Sequence, residues 1–275
     1  MEIEKLVESI TADVLKQIKQ EGTAGNVKKP GYNADYGKFC DHTVLRAYTP
    51  KSIVKRFCEE AKEYNAAAVC VNPIHVSFVR EQLAGTGIRT CTVIGFPLGA
   101  NKPIIKAIEA SEAIKDGAQE VDMVINVGAL RDDDLMLVYN DIKGVVDVSK
   151  GKAEVKVIIE TCYLNTEQKI KACILCKLAG ADYVKTSTGF GTDGATEEDI
   201  LLIKRVVGDS MKIKASTGIN TRADAEKMIK AGAIRLGTSR TPNIVADDES
   251  IKGVSADNQP PKPYELTCAR CFRRE

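Results

Sequence analysis

From Asp41 onward, short runs of β-branched and apolar residues alternate with longer stretches in which apolar positions recur every three or four residues. Runs of the first kind suit strands buried on both faces, and stretches of the second kind suit helices lying against them. The repeat therefore reads as successive βα units. The strand candidates are Asp41 to Leu45, Ala67 to Val71, Thr90 to Gly95, Glu120 to Asn126, Val155 to Thr161, Tyr183 to Thr188, Lys212 to Thr217 and Ile234 to Thr238. That number closes a (β/α)8 TIM barrel, an α/β fold. Between the strands, Ile104, Ile105, Ile108 and Ala113 mark one apolar helical face, and Ile200, Leu201, Ile203 and Val206 another. Thr166, Thr196 and Thr221 stand where N-caps are expected, and Gly117, Gly180 and Gly232 close three helices. A doubly wound open sheet is the alternative. It calls for a glycine-rich phosphate turn after the first strand, and none follows Leu45.

The ends of the chain depart from this rhythm. Ile3, Leu6, Val7, Ile10, Val14 and Ile18 line one face of a helix over residues 1–20, an amphipathic extension ahead of the barrel. It either folds back onto the barrel, mediates oligomer contacts, or serves as a peptide on a flexible tether. Residues 21–37, rich in Gly, Lys and Asn, read as a linker, the barrel as 38–246, and 247–275 as a polar, mobile tail.

Composition narrows the function. A chain of 275 residues that is 44% hydrophobic can bury one large core. A net charge of +1, with both signs dispersed, supplies no basic stripe for nucleic acid. Nine cysteines, an odd number at irregular spacings, point to a reducing compartment rather than a disulfide framework. No signal peptide or membrane span is expected, so the reading is a cytoplasmic protein. The two histidines, His42 and His75, have no partner at ligand spacing, and Cys268 with Cys271 makes only half a zinc site. No metal and no cofactor are expected.

The chemistry-bearing feature is a duplication. Val184-Lys185-Thr186-Ser187-Thr188-Gly189-Phe190 and Ile213-Lys214-Ala215-Ser216-Thr217-Gly218-Ile219 occupy consecutive strands in the same register. A lysine in an apolar strand is costly unless it is partnered or neutral. Two of them in register lie roughly 5 Å apart, and each disfavours protonation of the other. A neutral amine attacks a carbonyl, and the iminium that follows acts as an electron sink for making or breaking carbon–carbon bonds. Either lysine alone would more ordinarily reach out to solvent. The paired context favours catalysis. Asp122, a carboxylate in another apolar strand, needs cationic partners or loses its charge. Gly189, Gly218 and the run Gly237-Thr238-Ser239 end the last three strands, where backbone N–H groups can cradle an anion.

The segment Val184 to Phe190 resembles the Schiff-base motif of the deoxyribose-phosphate aldolase family. The strands at Asp41 to Leu45, Val69 to Pro73, Val93 to Gly99, Glu120 to Asn126 and Lys156 to Thr161 resemble that family's signatures in the same order. The similarity runs from about Asp41 to Ser239. It implies Lys185 as nucleophile, Lys214 as the neighbouring cation, Asp122 as the proton-moving carboxylate, and Asp41 and Lys156 in the polar network around them. Gly189, Gly218, Gly237 and Ser239 would hold the substrate phosphate, and Thr43, Cys70 and Arg240 are further site candidates with no assigned role. Two positions depart from the family pattern. Thr217 stands where glycine is common, and Arg240 follows Ser239 where a small residue is usual. Cys70 would be open to alkylation by an unsaturated aldehyde only if it faces the site.

The implied reaction is reversible cleavage of 2-deoxy-D-ribose 5-phosphate to D-glyceraldehyde 3-phosphate and acetaldehyde. The implied partners are a phosphorylated deoxy sugar and a small aldehyde, with a homo-oligomer conceivable. The helix over 1–20 looks like the peptides that direct enzymes into bacterial microcompartments. Two other hypotheses stand beside this one: a lysine-dependent barrel acting on a different phosphorylated carbonyl compound, and a barrel recruited as cargo or scaffold with little activity.

Overall fold

In the computed structural model, which describes residues 2–21 and 35–258, the apolar runs become eight parallel strands. They are β1 (Cys40–Val44), β2 (Ala68–Val71), β3 (Arg89–Ile94), β4 (Glu120–Val124), β5 (Glu154–Ile158), β6 (Tyr183–Lys185), β7 (Lys212–Ser216) and β8 (Arg235–Thr238). Each pairs with the next, and β8 returns to β1, so the sheet is a closed barrel with no edge to protect. Lys185 pairs with Lys214 and Asp122 with Lys156, which places the charged strand residues side by side. The helices are α1 (Glu2–Glu21), α2 (Lys51–Glu63), α3 (Val76–Gln82), α4 (Pro103–Lys115), α5 (Val127–Arg131), α6 (Leu135–Ser149), α7 (Thr166–Ala179), α8 (Glu197–Val207), α9 (Arg222–Ala231) and α10 (Thr241–Ala246).

Local chemistry accounts for most boundaries. Thr196 and Thr221 accept from the backbone N–H groups of Asp199 and Asp224, and Asp224 completes a capping box at α9. At α7 the cap is Asn165 rather than Thr166, again with a capping box, and Gly180 ends that helix at φ +84°.

Helix α4 reverses one expectation. Ile104, Ile105 and Ile108 face outward, 62%, 48% and 51% exposed, while Lys106, Ala107, Ala110 and Ala113 form the buried face. The reason is close packing of α4 on α6, where Ala107 lies against Gly144. Small residues and one paired lysine fit that contact, and isoleucines would overfill it. Lys106 donates to the Val124 carbonyl at 2.8 Å and to Asp141 at 2.5 Å, so the ammonium is satisfied inside the wall.

The ends also pack. Helix α1 lies on α6 and α7, burying Val7, Thr11 and Val14, while Leu6 stays 45% exposed. Glu8 reaches Lys171 at 2.8 Å, and the same ammonium meets Asp133 at 2.9 Å and Glu167 at 3.1 Å. Of the expected linker, residues 22–34 lie outside the described residues. Its last part is structured: Tyr36 donates to Glu226 at 2.7 Å, and Gly37 sits so close to the Tyr64 carbonyl that an added Cβ would come within 2.0 Å.

The tail differs from expectation up to Asn258. Asn243 donates to the carbonyls of Asp248 and Ile251, the Val254 N–H donates to Glu60 at 2.6 Å, and Asn258 donates to Thr49 at 2.9 Å. Buried polar side chains, rather than apolar periodicity, hold this segment, which is why its sequence reads as loose. Residues 259–275, with Cys268 and Cys271, lie outside the described residues.

If the buried face of α1 is what holds it, Val7→Asp should release the helix, because an unpaired carboxylate cannot stay at a fully buried position. Limited proteolysis should then cut within residues 2–21 while the barrel keeps its far-ultraviolet circular dichroism and loses about 2–5 °C of Tm. Parental resistance to cleavage would show that this face does not carry the docking.

Candidate active site

Strand β6 has three residues and Lys185 is its last, so the lysine stands at the C-terminal mouth of the barrel, where the chain leaves the sheet. Lys185 lines a cavity of about 460 Å³ together with Thr43, Gly189, Gly218, Gly237, Ser239 and Arg240. The structure thus gathers the expected anion-binding residues and both peripheral candidates, Thr43 and Arg240, around one amine. Asp41, Asp122, Lys156 and Lys214 do not line the cavity and are fully buried in the barrel interior. Cys70 is fully buried beside Cys91 and does not line it either.

Asp122 is the hub of the interior. Its Oδ2 receives hydrogen bonds from Lys185 Nζ at 2.8 Å and Lys214 Nζ at 2.7 Å, and its Oδ1 receives one from Lys156 Nζ at 3.0 Å. The Cys91 thiol adds a contact to Oδ1 at 3.2 Å. A second tier supports the first: Lys214 also donates to Asp41 at 2.5 Å, Lys156 to Glu120 at 2.5 Å, and Arg235 bridges Asp41 and Glu120. Four bases (Lys156, Lys185, Lys214, Arg235) therefore face three carboxylates (Asp41, Glu120, Asp122). Loss of one proton from a lysine leaves the charges balanced at three against three.

Burial alone would raise the carboxyl of Asp122, but Lys156, Lys185 and Lys214 outweigh it and hold the group well below its ordinary range. Asp41 is lowered in the same way by Lys214, Arg235 and Lys156 against the opposing effect of burial. The converse holds for Lys214, which burial would lower and which Asp122 and Asp41 raise. Lys214 is thus a fixed cation one strand away from Lys185. Of Lys156, Lys185 and Lys214, Lys185 is the one that lines the cavity.

Glu120, Arg235, Cys91 and Glu160 belong to the site without having been singled out in the sequence. Glu120 carried a usable signal, since it precedes Asp122 by two residues and alternate strand positions share a face. Arg235 pairs in register with Lys214. Glu160 gave no signal: it takes φ +54° after β5, accepts the Thr188 N–H at 3.1 Å, and also binds the Thr188 hydroxyl. It fixes the turn that follows Lys185.

Two buried trios, Cys70–Cys91–Asp122 and Asp41–Cys91–Glu120, have the spacing of metal ligands. Their carboxylates are already bonded to ammonium or guanidinium groups, so a dication there would share its ligands with cations.

The pH dependence of stability follows from these shifts. Asp41 and Asp122 ionise in the folded chain below their ordinary value of 3.8, so the stability they add is full above that value and is lost as pH falls from there towards the lower values at which they titrate in the fold. The contribution of Lys214 is full below its ordinary 10.5 and is lost only at higher pH. Asp41→Asn, which leaves Lys214 and Arg235 each short of a partner, should cost about 3–5 kcal/mol in urea unfolding at pH 7. Its stability should also fall less steeply than the parent's between roughly pH 5 and pH 3. Superimposable acid limbs would remove Asp41 from this role.

Comparison with known proteins agrees with the geometry. Residues 38–255 match the DeoC/LacD family aldolase model. A deoxyribose-phosphate aldolase of Listeria monocytogenes is 55% identical over 215 residues, covering 78% of this chain and 96% of that protein. One from Geobacillus sp. is 57% identical over 208 residues, covering 76% and 93%. A tetrameric deoxyribose phosphate aldolase from Aeropyrum pernix superimposes with a TM-score of 0.73 at 28% identity, over 86% of this chain and 97% of that one. With the barrel, the lysine pair and the aligned length in agreement, the chain belongs to the DeoC/LacD family of aldolases.

Proposed function

We propose that the protein cleaves 2-deoxy-D-ribose 5-phosphate reversibly to D-glyceraldehyde 3-phosphate and acetaldehyde, with Lys185 forming the Schiff base. The observation that carries this reading is the position of Lys185: it alone among the interior lysines lines the cavity, and its Nζ lies 2.8 Å from Asp122. The names of the relatives over nearly their whole length support the substrate. The amine adds to the C1 aldehyde of the open-chain sugar, and loss of water from the carbinolamine gives an iminium. A base takes the proton of the C3 hydroxyl, the C2–C3 bond breaks, and its electron pair passes into the iminium to give an enamine. Glyceraldehyde 3-phosphate departs as the aldehyde. Protonation of the enamine at C2 and hydrolysis release acetaldehyde and the free amine.

The protein groups divide this work. Asp122, held ionised, accepts one hydrogen bond from Lys185, and that proximity supports a role in passing protons through a water between the amine and the substrate. Lys214 keeps a positive charge beside the amine, and Lys156 and Asp41 hold Asp122 and Lys214 in place. Gly189, Gly218, Gly237 and Ser239 give the phosphate a rim with little side-chain bulk, with Arg240 supplying charge. The outward isoleucines of α4 and the tetrameric relative support a homo-oligomer. No described helix is long and apolar enough to cross a membrane. A role for α1 in encapsulation would require it to leave α6 and α7, so we favour a docked extension.

Borohydride reduction in the presence of 2-deoxyribose 5-phosphate should fix a covalent adduct on Lys185, located by peptide mapping. Lys185→Ala should lose both the adduct and turnover while keeping the parent's far-ultraviolet circular dichroism and a cooperative unfolding transition. An adduct on Lys214 would transfer the nucleophile. A folded parent that forms no adduct would refute the substrate or the Schiff base.

A further inference from the structure

Thr217 and Gly218, just beyond β7, both adopt left-handed backbone conformations, with φ of +73° and +81°. Glycine takes that conformation freely, whereas a β-branched residue rarely does, because its Cβ crowds the neighbouring carbonyl. The surroundings hold Thr217 there. Its N–H donates to the Gly237 carbonyl at 3.3 Å, and its own carbonyl receives the Ala195 N–H at 3.1 Å. A Cβ on Gly194 would come within 2.6 Å of the Thr217 oxygen, and one on Gly189 within 3.0 Å of the Thr217 hydroxyl. Two glycines from the loop after β6 therefore leave room for this side chain, at the rim where the anion would sit.

The hydroxyl itself is unspent. Thr217 lines the cavity with Lys185, Gly189, Gly218, Ser239 and Arg240, and its side chain makes no hydrogen bond with the described residues. Strained backbone persists where the structure over-determines it, and such residues cluster at ligand sites. A half-buried donor at a glycine-walled, arginine-flanked rim has the chemistry to meet an anionic oxygen.

We propose that Thr217 is a specificity-determining residue, its hydroxyl donating a hydrogen bond to the phosphate of the substrate. This inference rests on the phospho-sugar reading above. It differs from a packing role in one measurable respect. A residue that only fills space affects phosphorylated and unphosphorylated sugars alike, whereas a phosphate donor affects only the first.

The test compares steady-state cleavage of 2-deoxyribose 5-phosphate and of 2-deoxyribose by the parent, Thr217→Val and Thr217→Ser. Valine keeps the shape and removes the donor. It should raise KM for the phosphorylated sugar about 5–15-fold with kcat unchanged to within about twofold, and leave kcat/KM for the unphosphorylated sugar as it was. Serine should keep the parental KM. An unchanged KM in Thr217→Val, or an equal change for both sugars, would overturn the assignment while leaving the aldolase reading intact. A parent that neither turns over the phosphorylated sugar nor forms the borohydride adduct would overturn both.

Discussion

Three ammonium groups converge on one carboxylate in the middle of the barrel, and the placement of almost every other element can be read from that fact. Asp122 could not stay ionised and buried without them, and Lys156, Lys185 and Lys214 could not stay buried without it. The partners come from four strands, β4 to β7, so the electrostatic requirement is also a requirement on register. A slip of one residue in any of these strands would turn its charged side chain from the interior to the helix layer. Asp41, Glu120 and Arg235 extend the constraint to β1, β4 and β8. Hydrophobic runs suffice to make a barrel. This lattice of charge fixes which residues of each strand look inward.

The strands were legible because each is a compact apolar run with turn chemistry on both sides, and the lysine pair because a charge inside such a run has few structural explanations. Asp122 was legible for the same reason. Arg235 is equally charged and equally interior, yet it stands at the first position of its strand, where a sequence gives no reason to choose between a solvated strand end and a buried one, whereas Glu120 shares a strand face with Asp122 two residues on. On α4 apolar periodicity points the wrong way for the isoleucines, because Ile104, Ile105 and Ile108 serve the outside of the barrel, while alanines and the paired Lys106 serve the inside. Composition along a helix says that it has two faces. It does not say how close the neighbouring helix comes, and on α4 that distance decides. The segment from Asp248 to Asn258 is illegible for a third reason: its backbone bonds to the side chains of Asn243 and Glu60 and the Asn258 amide donates to the Thr49 hydroxyl, and such bonds leave no periodic trace.

Reactivity in this interior is a matter of access as much as of charge. Lys156 and Lys214 have the same functional group as Lys185 and closely related partners, but Lys156 pairs with the carboxylates of Asp41, Glu120 and Asp122, and Lys214 with those of Asp41 and Asp122. Lys185 has one, and it ends its strand where the others continue. Lys185 therefore presents its amine at the floor of the cavity while Asp122 still bonds it.

Beyond that floor the backbone changes character. The strands below are regular, whereas Glu160, Gly189, Thr217 and Gly218 all take positive φ within a few residues of the strand ends. Strained conformations of this kind survive only on a rigid support. The charge lattice below is such a support, because moving any one strand would break several buried ion pairs at once. Thr217 is tied by its N–H to Gly237 of β8 and by its carbonyl to Ala195, and Glu160 to Thr188, three residues beyond Lys185. The order of dependence runs upward: buried charge sets the register, register holds the strand ends, and the strand ends carry irregular turns that no regular strand could offer to a small anionic substrate.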